Sequence, residues 1–142
     1  MSDDALKIFQ LPPATIEPLW ASLREKLLPA IDRSRGMCTE QSVFEALSAF
    51  RWQCWVAYEG TSLKAVTATR IFDSPSGTKV LNAVLTGGED RKLWQRPMVE
   101  KLKEFMRAEG CAVLSIVGRR GWERSFPEFK AEQIVLEYRD NG

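Results

Sequence analysis

Apolar positions recur every three or four residues in some stretches of the chain and alternate with polar ones, or run unbroken, in others. Ile16, Leu19, Trp20, Leu23, Leu27 and Ile31 have helical spacing. Thr15 stands where an N-cap belongs. Pro18 falls in the first turn, where a missing N–H costs little. Pro29 is expected to kink or end this helix near Leu28, with a loop over 33–37. A second helix is expected from about Glu40 to Phe50, carrying Val43, Phe44, Leu47 and Phe50 on one face. After Gly87-Gly88 a third helical segment runs to Glu109, with Leu102, Phe105 and Met106 as its stripe and Gly110 just past its end. Pro97 requires that helix to begin near Gln95 or to kink.

The intervening stretches read as strands. Lys7–Gln10 is a short first strand, ended by Pro12-Pro13. Trp52, Cys54, Val56 and Tyr58 alternate with Gln53, Trp55 and Ala57, so Trp52 and Trp55 should face opposite sides. Glu59-Gly60-Thr61-Ser62 is a tight reversal into a strand over Leu63–Phe72. Lys79–Thr86 is apolar on both faces, as a covered central strand is. Ala112–Val117 is a buried-type strand, Gly118–Phe126 a loop with a short helix, and Gln133–Tyr138 a closing strand. Hairpin-linked strands followed by a strand–helix–strand unit give a mixed α+β domain over 1–142. Its mixed central sheet has about six strands, with helices on both faces in three layers.

Composition narrows the chemistry. The 142 residues are 44% hydrophobic, enough for a sizeable core. Twenty Lys and Arg against 19 Asp and Glu leave a net charge of +1, without the basic excess that supports nucleic-acid binding. No apolar run approaches the roughly 20 residues of a membrane span. The acidic start Met1-Ser2-Asp3-Asp4 is unlike a signal peptide, which points to the cytoplasm. Cys38, Cys54 and Cys111 are widely spaced, so no metal pattern is present, and Cys54 and Cys111 sit in apolar runs as core residues do. There is no histidine, which removes Ser-His and Cys-His nucleophile systems. Acid–base work falls to Asp, Glu, Tyr, Cys, Lys or water.

The order of elements resembles the GNAT superfamily of acyl-CoA-dependent N-acyltransferases. Gly118-Arg119-Arg120-Gly121-Trp122-Glu123-Arg124, Phe126, Phe129-Lys130 and Val135-Leu136-Glu137 resemble a group of GNAT-like proteins of tailed bacteriophages. Trp52–Ala57 and Leu85-Thr86-Gly87-Gly88 resemble that group too, while Glu128 departs from it by standing where a Gly would precede Phe129. The resemblance implies that acyl-CoA, acetyl-CoA if the protein is catalytic, lies between splayed fourth and fifth strands. Its pyrophosphate would rest on backbone N–H groups opening the next helix. The matching positions are Leu85, Thr86, Gly87, Gly88, Arg91 and Lys92. Their glycines lack the family spacing, and Glu89 and Asp90 stand where the diphosphate needs positive charge. Two carboxylates 4–6 Å away repel it by on the order of 1 kcal/mol each. The plain alternative is a Gly-rich turn and an acid-capped helix.

The resemblance also implies a catalytic Glu on the central strands and a Tyr after the fifth. No Tyr lies between Ala112 and Ile134, and Tyr58 and Glu59 read as a core-edge aromatic and a solvated turn acid. Catalytic residues stay unassigned. Arg119, Arg120, Trp122 and Arg124 form a candidate interaction cluster, since Trp and Arg favour interface hot spots. The alternative packs Trp122 under the sheet edge, with the arginines solvated or paired to Glu123 and Glu128. Two roles follow. One is a virion-associated or accessory phage protein with a degenerate acyl-CoA site, in the host cytoplasm or virion, partnered by phage structural proteins or itself. The other is an active N-acyltransferase acting on a primary amine.

Overall fold

The computed structural model describes residues 5–117, 122–131 and 136–140. Strand β1 (Leu6–Leu11) leads through a 3-10 turn (Pro13–Thr15) into helix α1 (Ile16–Arg33) and helix α2 (Glu40–Ser48). Strands β2 (Gln53–Glu59), β3 (Ser62–Asp73) and β4 (Lys79–Gly88) follow. Helix α3 (Arg91–Ala108), strand β5 (Val113–Ile116) and the one-turn helix α4 (Trp122–Ser125) complete the described elements. The strands lie side by side in chain order, antiparallel except for the β4–β5 pair.

The two sheet faces carry separate cores. Leu23, Leu27 and Ile31 of α1 and Val43 and Leu47 of α2 cover Cys54, Val56, Val66 and Leu85. Trp94, Met98 and Leu102 of α3 cover Trp55, Ala57, Ala65, Leu81 and Ala83 on the other side. Trp52 packs against the first cluster and Trp55 lies in the second, the opposite facing expected from their spacing. Trp55 donates its indole N–H to Thr69 Oγ1 at 3.0 Å, and Thr69 donates to Gln53 Oε1 at 2.8 Å. These three buried polar side chains are thereby paired, as burial demands. Cys54 and Cys111 are buried free thiols. Burial pushes the Cys54 thiol up to about 12, so it stays neutral.

Both long helices run through an internal proline. α1 continues through Pro29 to Arg33, because Ala30 and Ile31 just beyond it are buried in the core and offset the lost hydrogen bond. α3 begins at Arg91, six residues before Pro97. Its first turn is pinned by buried Trp94, whose indole N–H donates to the Glu89 carbonyl at 2.7 Å. Thr15 sits at the start of α1 but makes no side-chain cap; its hydroxyl donates to Pro12 O at 2.7 Å. α2 ends at Ser48 and has a reciprocal cap. Ser42 N donates to Thr39 Oγ1 at 3.0 Å and Thr39 N to Ser42 Oγ at 2.9 Å.

The sheet has five strands among the described residues, not about six. Of the expected closing strand, 133–135 lie outside the described residues. Leu136–Tyr138 are not in a strand: Leu136 and Tyr138 are 90% and 89% exposed. Arg139 beyond them pairs with Glu137 and donates to the Arg35 carbonyl.

Two bulges decide what faces what. In the β2–β3 ladder Ala57 pairs with Ala65 and Tyr58 with Leu63, which leaves Lys64 as the extra residue. In the β3–β4 ladder Ala68 pairs with Leu85 and Thr69 with Ala83, which leaves Val84. A strand alternates faces every residue, so Leu81, Ala83 and Leu85 should share one face. The bulge breaks that rule. Leu81 and Ala83 face α3, whereas Leu85 faces α1.

Candidate functional site

β4 pairs with β5 over Val80–Ala83 against Val113–Ile116, flanked by bonds from Ala112 N to Lys79 O at 2.9 Å and from Val117 N to Ala83 O at 3.0 Å. Beyond the Val84 bulge β4 runs on to Gly88 while β5 has ended, so among the described residues Leu85–Gly88 have β3 on one side and no β5 strand on the other. A cavity of about 430 Å³ opens there. Its floor is Val84 to Gly88. Its sides are the end of α1, at Arg33 and Ser34, and the start of α3, at Arg91 and Trp94. Val117 and Trp122 close it from the chain beyond β5.

Of the positions singled out in the sequence, Leu85, Thr86, Gly87, Gly88 and Arg91 line this cavity. Lys92 is exposed and does not line it. Trp122 lines the cavity and stacks on Phe126 at 5.6 Å. Arg124 is exposed, and Arg119 and Arg120 lie outside the described residues. Arg33 and Ser34 at the end of α1, Trp94 of α3 and Val117 beyond β5 are not joined in the sequence, because only the fold gathers them.

The glycines have a packing reason. A Cβ on Gly87 would stand 1.8 Å from the Lys26 carbonyl oxygen of α1, and one on Gly88 2.4 Å from that of Lys64. Only residues without a Cβ let the end of β4 pass this close to α1 and β3. The Lys64 carbonyl also accepts from Glu89 N at 2.9 Å, tying the bulge to the approach to α3.

Glu89 and Asp90 do not act as expected. Asp90 starts α3 from a left-handed conformation, φ 56°, without a side-chain cap. Glu89 pairs with Lys26 at 2.9 Å and Asp90 with Lys64 at 3.0 Å. That hydrogen bond to Asp90 raises the Lys64 ammonium above its ordinary range. Neither carboxylate lines the cavity, and each has a lysine to balance it. Among the described residues the charged side chains of the lining are Arg33 and Arg91 alone. The α3 N-terminus adds unpaired N–H groups and partial positive charge. α1 brings its negative end, but Ser34 N covers the Ala30 and Ile31 carbonyls, each at 3.1 Å, and Arg33 offsets the rest. The lining thus sets two arginines at the helix ends beside Val84, Leu85 and two tryptophans.

Tyr58 is half-buried and stacked on Phe9 at 6.0 Å, and Glu59 lies 3.9 Å from Lys64. Neither lines the cavity. Glu128, the departure noted in the sequence, pairs with Arg96 and with Lys103 at 2.8 Å. Arg96, with help from Lys103, holds its carboxyl down at about 2. No metal-holding cluster of His, Cys, Asp or Glu occurs among the described residues. No helix among them is long and apolar enough to cross a membrane.

No family profile matches the sequence, and no curated protein matches it. Solved structures do. An aminoglycoside acetyltransferase from an uncultured soil metagenomic sample, in complex with trehalose, superposes with a TM-score of 0.69 at 15% identity, over 99% of both chains. Glucosamine-6-phosphate N-acetyltransferase from Arabidopsis thaliana matches at 0.64 and 14%, over 95% of this chain and 98% of that one. A GNAT family acetyltransferase from Staphylococcus aureus matches at 0.67 and 8%, over 98% and 99%. At such identities the likeness establishes the fold alone: this chain has the fold of the GNAT acetyltransferases.

Proposed function

We propose that the cavity between β4 and β5 binds an acyl-CoA and that the protein passes the acyl group to a primary amine. The observation that carries this reading is the pairing of an open β4 edge with two arginines and no lining carboxylate among the described residues. Arg33, Arg91 and the first N–H groups of α3 would hold the phosphates, and Val84 and Leu85 the apolar arm. When bound, acyl-CoA supplies an activated thioester carbonyl. The residue Val84, extra in the ladder, frees backbone polar groups from strand pairing at the split, where a developing oxyanion could be met.

Deprotonating the amine is left to water. Ser34 and Thr86 are the hydroxyl side chains of the described lining, which has no carboxylate, phenol or thiol. Catalysis then rests on positioning. The rate is expected to follow the acceptor amine's own pKa, with no second inflection from the protein. The same lack of a base favours a second reading, a phage accessory or virion-associated protein that keeps the fold without the reaction.

Calorimetric titration with acetyl-CoA at up to millimolar concentration, with a thermal-shift scan beside it, separates the two. Saturable heat and a raised Tm are expected. Neither heat nor shift would sink the acyl-CoA reading and leave the second.

A further inference from the structure

We infer that Glu128 is a positioning residue for the cavity: by pairing with Arg96 and Lys103 of α3 it seats the α4 turn so that Trp122 forms one cavity wall. The inference rests on reading the cavity as the acyl-CoA site.

The two indoles of the cavity are held differently. Trp94 is 2% exposed, belongs to the long helix α3 and is fixed by its bond to Glu89 O. Trp122 is half-buried and belongs to a helix of four residues. A single turn has no stability of its own, so its place must come from tertiary contacts.

Those contacts converge on Arg96. Trp122 stacks on Phe126, with the rings 22° apart, and Phe129 meets Phe126 edge-on at 5.9 Å. Phe126 is only 2% exposed. The Arg96 guanidinium lies 4.3 Å from the centre of the Phe126 ring and donates to the Ser125 carbonyl at 3.0 Å. Glu128 accepts from both terminal nitrogens of Arg96, and Lys103 donates to the same carboxylate. Lys103 also lies 6.0 Å from the centre of the Phe129 ring. Both cations have a second carboxylate within reach, since Glu100 lies 3.5 Å from Arg96 and 3.1 Å from Lys103. Without the Glu128 charge, Arg96 would turn toward Glu100, one turn along its own helix, and leave Phe126 and Ser125. The Trp122–Phe126 stack would then lose its anchor to α3.

Two measurements test this, one without any ligand. Amide hydrogen exchange on Glu128→Gln should rise several-fold across 122–130 and stay unchanged in the sheet. Unchanged exchange in 122–130 would overturn the clamp. Coenzyme A is then titrated into the parent chain, Trp122→Ala, Glu128→Gln and the double variant. Each single variant should bind about 5–10-fold more weakly, and the double no more weakly than Trp122→Ala, because Glu128 acts through that indole. Full additivity, or parent-like binding by Glu128→Gln, would overturn the proposal. If the parent itself fails to bind, the acyl-CoA reading falls and exchange alone decides the clamp.

Discussion

The two halves of β4 share one strand and do different work. From Val80 to Ala83 it is hydrogen-bonded to β3 on one side and β5 on the other, and its apolar side chains are buried. From Val84 to Gly88 it keeps β3, loses β5 and lines a cavity. One extra residue at Val84 and the early end of β5 make the difference. A core strand thus becomes the lining of a cavity without leaving the sheet.

Substitutions can break or sharpen this division. The largest effect is expected in the closed half. Leu81 is fully buried, and Leu81→Ala should cost about 2–5 kcal/mol of stability by urea unfolding, while the protein that remains folded keeps its affinity for coenzyme A. Equal losses in stability and affinity would erase the division. Gly87→Ala acts in the open half. Its new Cβ meets the α1 backbone, so a loss of about 1–3 kcal/mol is expected together with weakened binding. Intact stability would mean that β4 and α1 can separate freely. Arg91→Gln should leave stability within about 0.5 kcal/mol and weaken coenzyme A about tenfold, or about 1.4 kcal/mol. A parent-like dissociation constant would remove Arg91 from the site.

The acid response is the smallest effect and concerns the clamp outside both halves. Glu128 is held at about 2, below the ordinary glutamate value of about 4.3, by Arg96 and Lys103. Arg24 likewise lowers the Glu40 carboxyl between α1 and α2. A lowered folded-state pKa means the unfolded chain takes up the proton first. The stabilisation is therefore present above about pH 4 and is lost as pH falls from there toward about 2. Both pairs are exposed, so salt should flatten the effect. Comparing Tm at pH 5 and pH 3 in Glu128→Gln and the parent checks it: the variant should lose less on acidification.

Much of the fold was legible because periodicity is a local signal. The strand over Trp52–Tyr58 and the stripe of α1 follow from spacing alone. At Pro29 and Pro97 the proline rule is local too, while the burial of Ala30, Ile31 and Trp94 that lets both helices run through is tertiary. The bulges at Lys64 and Val84 leave no mark in the hydrophobic pattern. One part of the cavity lining, Leu85–Gly88 with Arg91, is continuous in the chain and so stands out in the sequence. Arg33 and Trp122 could not be joined to it, being brought there from α1 and α4. The meaning of Glu89 and Asp90 turned on partners distant in sequence, Lys26 and Lys64. Two acids that read as repelling a diphosphate sit outside the cavity, each beside a lysine.

The most direct test follows amide resonances while coenzyme A is added. Shifts are expected at Val84–Arg91 and at Val117, with Val80–Asn82 in the closed half nearly still. Shifts confined to the closed half, or spread evenly over β4, would contradict the assignment of the open half as the binding edge.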